Sequence, residues 1–237
     1  MISFIIVNRN GKDLDKAIDN IQKVYNDYEK EIIVVQQEDD EPFKRGQLFN
    51  IGVSFSNGEY IALSDNDMFH LRKVNWIDIY ETYKKPIVGF KYITQVDYNN
   101  GNVKQLRTDL CTAGFGGFNF MKKNDFIEAN GFSNLYMGWG AEDAEFFERF
   151  NDYIRLPQNL GHLIHPSRAD ANNYHTKVNR DIYYHHKHNK LDDGLKQTRF
   201  NLVEKVEKNN CIFIKVNNIN VDENFAYKEL LNKHFIK

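Results

Sequence analysis

The chain has 237 residues, enough for one large or two small domains, with 31 Lys+Arg against 33 Asp+Glu and a net charge of -2. That balance excludes a broadly basic nucleic-acid surface. Cysteine is used twice, at Cys111 and Cys211, too sparsely for a disulfide framework, so free buried thiols in a reducing compartment are expected. No apolar run approaches the ~18 residues a membrane-spanning helix needs.

Ile2 to Val7 and Glu31 to Gln36 are short apolar runs, and between them Ile18, Ile21, Val24, Tyr25 and Tyr28 recur at helical spacing. The opening is therefore β-α-β, and its first strand is too short and lacks the basic leader of a signal peptide. A polar loop from Gln37 to Pro42 leads into a predicted helix over 45–55 and a strand over 60–63. Strands alternating with helices imply a largely parallel sheet, where ligands sit outside the carboxyl ends of the strands. Ser64-Asp65-Asn66-Asp67 falls at such an end.

A helix over 76–83, a strand over 87–96, the turn signal Asn99-Asn100-Gly101 and a strand over 103–106 follow. The sheet is thus mixed. Gly114-Phe115-Gly116-Gly117-Phe118 carries too many glycines for an ordinary strand and predicts close approach of backbone to a ligand or another segment. Short helices are predicted over 124–129 and 141–150, polar irregular chain after Pro157, and a final pair of strands over 202–206 and 211–216. No repeat or linker marks a second domain, and residues 1–237 are read as one.

Three constellations carry chemistry. Asp65 and Asp67, two residues apart after a strand, supply hard oxygen ligands for a divalent ion, although aspartates also serve there as turn formers. Phe43-Lys44-Arg45-Gly46 precedes a helix, so its amides and Arg45 suit a phosphate or a nucleotide base, with Phe43 as a stacking face; a solvated helix start is the alternative. In Gly138-Trp139-Gly140-Ala141-Glu142-Asp143 an indole lies between glycines ahead of two carboxylates, which suits a carbohydrate acceptor whose hydroxyl must lose a proton. Adjacent acids in a first helical turn also occur simply because they suit the helix dipole. His162 and His165 can complete a metal site begun by Asp67, whereas His185, His186 and His188 read as an exposed helix face.

Taken in order, these segments resemble the β-1,4-galactosyltransferase superfamily, including its bacterial and chondroitin-synthase-type members. Phe43 to Gly52 is similar to its nucleotide-side segment, Asp65-Asn66-Asp67 to its Asp-x-Asp motif, and Phe115-Gly116-Gly117 with Asn130 to Asp143 to its acceptor and catalytic block; Asp193-Gly194-Leu195 is similar to a segment near the family's end. The resemblance runs from Ile2 to Val216. It implies an α/β GT-A nucleotide-sugar-binding fold with a central mixed, mostly parallel sheet, divided into a nucleotide-sugar half over 1–110 and an acceptor and catalytic half over 111–237.

It also implies roles. Asp143 would be the general base and Glu142 its neighbour that orients a ligand; Trp139 with Gly138 would form the acceptor platform. Arg9, Asn10, Phe43, Arg45, Asp65, Gly114, Gly116 and Gly117 would line the UDP-sugar donor. Asp67, His165 and His162 would hold Mn²⁺, an ion suited to carboxylate and imidazole. Gly114 stands where galactose-specific members carry an aromatic, which makes room for UDP-GalNAc. The resemblance therefore implies an inverting transferase of galactose or N-acetylgalactosamine to a glycan hydroxyl, in bacterial surface-polysaccharide synthesis. The expected location is the cytoplasm, with peripheral association at the inner face of the membrane. A catalytically silent glycan-binding module and a sugar nucleotidyltransferase are the competing functions, the latter lacking its glycine-rich start because Asn8-Arg9-Asn10-Gly11 has one glycine.

Overall fold

The computed structural model describes residues 1–9, 11, 13–88, 91–99, 102–110, 116–156, 160–163, 174–186 and 193–219. Strands β1 (Ile2–Asn8), β2 (Lys30–Gln37) and β3 (Tyr60–Asp65) pair in parallel in the order β2-β1-β3, as their uninterrupted apolar runs require of strands covered on both faces. Helix α1 (Leu14–Val24) buries Ala17, Ile18, Asn20 and Ile21 along one stripe. Helix α2 (Arg45–Phe55) is buried almost all round, from Arg45 through Val53, so its polar members Gln47 and Asn50 lie inside the protein.

Beyond β3 come β4 (Met68–His70), α3 (Trp76–Tyr83), β5 (Ile87–Val88), β6 (Tyr92–Asn99), β7 (Asn102–Leu110), β8 (Phe118–Lys122) and α4 (Lys123–Glu128). Helix α5 (Glu142–Glu148), β9 (Ile154–Arg155), β10 (Leu160–Leu163), α6 (Tyr174–His186), β11 (Asn201–Lys208) and β12 (Cys211–Asn217) complete the described elements. The main sheet runs β11-β12-β2-β1-β3-β8-β5-β9, and a smaller sheet runs β4-β10-β6-β7. The main sheet is mixed because β8 is antiparallel to both β3 and β5. Cys211 is a free, buried thiol, and Cys111 lies outside the described residues.

Two expectations need correction. The strand predicted over 87–96 is two strands in different sheets: β5 stays in the main sheet and β6 leaves it to form a hairpin with β7. The stretch after Pro157 is not uniformly irregular. It contains β10, which joins β4 to β6, and the thirteen-residue α6.

The antiparallel β8 matters for the site. Ser64 pairs with Phe118, so the start of β8 meets the carboxyl end of β3, and the Asp65 amide donates to the Gly117 carbonyl at 2.8 Å. A row of rings then ties α2 to α5 through the intervening loop: Phe49 stacks on Phe132 at 5.6 Å and Phe132 on Phe146 at 4.1 Å.

Candidate active site

The centre of the site is Arg45, the first residue of α2, only 8% exposed. Its Nε donates to Asp65 Oδ1 at 2.7 Å, its Nη1 reaches Glu142 Oε1 at 3.4 Å, and its guanidinium carbon sits 4.9 Å from the centre of the Phe49 ring. A guanidinium serves two carboxylates this way because its donors form a planar fork. Arg45 is therefore not on a solvated helix start: it joins the end of β3 to the start of α5. Arg45 Nη2 and Glu142 Oε2 are buried without a hydrogen-bond partner. Unpaired buried polar atoms are costly, and they occur where a ligand's polar groups can satisfy them.

Gly116 seals the same space. A Cβ built on it would lie 2.9 Å from Asp143 Oδ2 and 3.6 Å from Arg45 Nη2. Asp143 is half-buried and its Oδ1 accepts from the Ala144 amide at 2.8 Å, which leaves Oδ2 on the Gly116 side. Glu142 is 7% exposed. Burial, then the neighbouring charge of Asp143, pushes its carboxyl up to about 7 against the pull of Arg45. Arg45, Asp65, Gly116, Gly117, Glu142 and Asp143 are thus brought together from four separate segments.

Asp67 begins a second cluster. His162 on β10 places Nε2 3.4 Å from Asp67 Oδ2, and the Leu163 amide donates to the Asp67 carbonyl at 2.9 Å. Burial disfavours the imidazolium, but the hydrogen bond and charge of Asp67 outweigh it and raise the His162 pKa. Among the described residues no group of three His, Cys, Asp or Glu side chains gathers around one point. A carboxylate beside an imidazole nevertheless fits an intermediate divalent ion. His165 lies outside the described residues, as do Asn10 and Gly114. His70, two strand positions from Met68, belongs to the core: burial drives its pKa down to about 3, and its Nδ1 meets the Tyr25 hydroxyl at 3.0 Å.

Asn66, between the two aspartates, donates through Nδ2 to Asn8 Oδ1 at 2.8 Å. The same oxygen accepts the Gly11 amide at 3.1 Å, and Asn8 Nδ2 donates to Gln36 Oε1 at 3.0 Å. Asn8 therefore knots the carboxyl ends of β1, β2 and β3. Arg9 turns to the loop after β2, where Nη2 donates to the Asp39 carbonyl at 3.3 Å.

Trp139 is 53% exposed, while the backbone around it is fixed. Gly138 and Gly140 have φ of 70° and 105°, the left-handed region that favours glycine, and the Gly138 amide donates to the Phe43 carbonyl at 2.9 Å. Phe43 is half-buried and contributes to this frame through its main chain. Upstream, Gln47 Nε2 donates to the carbonyls of Asn134 and Tyr136, and Asn50 exchanges two hydrogen bonds with the main chain of Phe132 at 2.8 and 2.9 Å. Asp193 accepts from the Ser133 hydroxyl, the Asn134 amide and the Asn134 side chain. Reading the sequence alone misses Asn8, Gln47, Asn50 and the buried Asn179 of α6, whose Nδ2 donates to the Met137 carbonyl at 2.8 Å and the Trp139 carbonyl at 3.3 Å. For Gln47 and Asn50 the available signal is two amides, three apart, in an otherwise apolar helix.

Residues 103–165 match the family model described as the N-terminal domain of galactosyltransferase. β-1,4-galactosyltransferase 7 of Drosophila melanogaster is 33% identical over 136 residues, covering 54% of this chain and 38% of the relative. A Lymnaea stagnalis β-N-acetyl-D-glucosaminide β-1,4-N-acetylglucosaminyl-transferase is 30% identical over 161 residues, covering 64% and 31%. The chain thus spans well under half the length of these relatives. The solved catalytic domain of the Drosophila enzyme superposes with a TM-score of 0.68 at 21% identity, covering 94% of this chain and 96% of the other; a mutant of it was crystallised with manganese, UDP-Gal and xylobiose. The shared architecture is the GT-A glycosyltransferase fold. With its Gly-Gly start to β8, its Asp-Asn-Asp at the end of β3 and its Gly-Trp-Gly-Ala-Glu-Asp turn all set within that fold, the chain is similar in sequence and fold to the β-1,4-galactosyltransferases.

Proposed function

We propose that this chain is an inverting, metal-dependent glycosyltransferase that moves galactose or N-acetylgalactosamine from a UDP-sugar to a hydroxyl of a glycan acceptor. The observation that carries this is the convergence of Asp143 Oδ2 and Arg45 Nη2 within 4 Å of the bare face of Gly116, with the exposed indole of Trp139 four residues ahead of Asp143 in the chain. UDP-galactose and manganese, present in the crystal of the solved neighbour, are the first donor and ion to test.

In the proposed reaction Asp143 Oδ2 takes the proton of the acceptor hydroxyl as that oxygen attacks the anomeric carbon; the bond from that carbon to the phosphate oxygen breaks, and UDP leaves with the electron pair. Displacement in line inverts the anomeric centre. Glu142 Oε2 and Arg45 Nη2, an acceptor and a donor without partners, orient sugar hydroxyls. Asp67 and His162, with His165, would hold the divalent ion, which supplies neutralisation of the developing diphosphate charge. Tolerance of an N-acetylhexosamine donor is supported by Gly114 in the sequence and by a relative named as an N-acetylglucosaminyl-transferase. The free thiol of Cys211 fits a reducing compartment, and with it a bacterial cytoplasmic enzyme of surface-glycan synthesis.

Manganese-dependent UDP release, screened over UDP-sugars with and without acceptor, tests the proposal. A glycan-binding module would release none. Asp143→Asn should keep donor affinity and lose transfer by about 10²- to 10⁴-fold; turnover near wild type in that variant would remove Asp143 as base. Asp67→Ala should abolish metal-dependent donor binding.

A further inference from the structure

Strand β11 closes one end of the main sheet. It pairs antiparallel with β12 on one side, and among the described residues no strand pairs with its other edge. Its eight residues are all exposed, including the apolar Leu202, Val203 and Val206. An open edge carries a row of unpaired amides and carbonyls, a template for another strand, and proteins commonly guard it with charge. Here the guard is not of one sign. From Glu204 to Lys208 the strand reads Glu-Lys-Val-Glu-Lys, and its bulge falls before this stretch, between Leu202 and Glu204. Strand alternation puts Glu204, Val206 and Lys208 on one face and Lys205 and Glu207 on the other. The contacts agree: Glu204 Oε2 meets Lys215 Nζ of β12 at 2.9 Å, while Lys205 Nζ turns to the Phe55 ring of α2, 5.6 Å from its centre.

We infer that β11 is a self-association edge: a second copy of this chain pairs with it antiparallel, about a two-fold axis through Val206. Symmetry limits the choices, because two identical antiparallel strands related by such an axis must place one residue opposite its own copy, and directly opposed side chains share a face. Centred on Val206, the register sets Lys205 opposite Glu207 of the second copy and Glu204 opposite Lys208 of the second copy, each pair occurring twice. Every other centre from Glu204 to Lys208 puts Glu on Glu or Lys on Lys at the axis, which is destabilising. The stretch is therefore complementary to itself in one register, which lies clear of the bulge. Glu204, already paired with Lys215, then stands between two lysines. The two main sheets join into one, and because the axis reverses every strand, the carboxyl ends of β1, β2 and β3 of the two copies open in opposite directions. Each copy keeps its own site.

Sedimentation equilibrium of the 237-residue chain at concentrations up to about 100 μM should show a reversible dimer. Lys205→Glu sets two carboxylates against each other on both sides of the axis and should raise the dissociation constant by about 10-fold or more. Adding Glu207→Lys to that variant exchanges the pair and should restore the constant to within about threefold of wild type, a rescue that a folding defect does not produce. Oxidative crosslinking reads the register separately. In Val206→Cys the new thiol faces its own copy at about 5 Å between Cα atoms, within disulfide reach, whereas in Lys208→Cys it stands about 14 Å away. A covalent dimer from the first variant, well above the level in the second and in wild type, is the expected result. A monomer at every concentration overturns the inference, and protection of the β11 amides from hydrogen exchange in that monomer would assign the edge to another segment of this chain instead. A dimer indifferent to Lys205→Glu, or crosslinking as fast through Lys208→Cys as through Val206→Cys, overturns it too.

Discussion

Gly116→Ala separates the position of Asp143 from the stability of the fold. The added Cβ would stand 2.9 Å from Asp143 Oδ2, whereas ordinary contact begins near 3.4 Å, so the carboxylate must retreat by about 0.5 Å. Arg45 Nη2, at 3.6 Å, need not move. Restricting the unfolded chain at this position changes stability by at most about 1 kcal/mol. Misplacing a reacting group by 1 Å can cost about 100-fold in rate, so half that displacement should lower kcat by about 10-fold. The assay is steady-state transfer at saturating donor and acceptor, with Tm measured in parallel. A fall in kcat with unchanged Tm and unchanged donor KM is the expected result. Wild-type kcat would refute the seating of the base by Gly116, and a raised donor KM with kcat untouched would show that Gly116 lines the donor alone.

Asn50→Ala should destabilise the protein by about 3 kcal/mol in chemical denaturation, because it leaves the buried amide and carbonyl of Phe132 unpaired. Glu142 makes stability depend on pH. Its folded pKa of about 7 lies above the ordinary 4.5, so its unfavourable contribution is absent below about pH 4.5 and grows as pH rises to 7, reaching on the order of 3 kcal/mol. Denaturation of Glu142→Gln should therefore show a stability relative to wild type that improves from pH 5 to pH 8; a pH-independent difference would contradict the raised pKa.

The three central strands were legible because each carries a short apolar run, Phe4 to Val7, Ile32 to Val35 and Ile61 to Leu63, and a strand covered on both faces shows no alternation to confuse. The candidate residues Asp65, Asp67, Glu142 and Asp143 stood out as local pairs. What stayed hidden depends on distance along the chain. Arg45 meets Glu142 across 97 residues, and nothing near Arg45 predicts that it is buried. Helix α6 mixes Tyr, His, Lys, Asn and Arg with few aliphatic residues, so its apolar stripe is thin, and it packs against a loop rather than the main sheet. The division of 87–96 between two sheets is likewise set by which partners Ile87 and Tyr92 find, Phe120 for one and Leu110 for the other.

Gln47, Asn50 and Asn179 all grip the 132–139 segment by its peptide groups, which every amino acid shares. The shape of this turn is therefore largely decoupled from what its side chains are. The residues bound to their identity are Gly138 and the following Gly140, with their positive φ, Ser133 and Asn134, held by Asp193, and Phe132, in the row of rings. Leu135 and Trp139 can then be exchanged for other side chains without rebuilding the path of the chain, so a single scaffold can be refitted to new sugar partners by substitution at the surface of one turn.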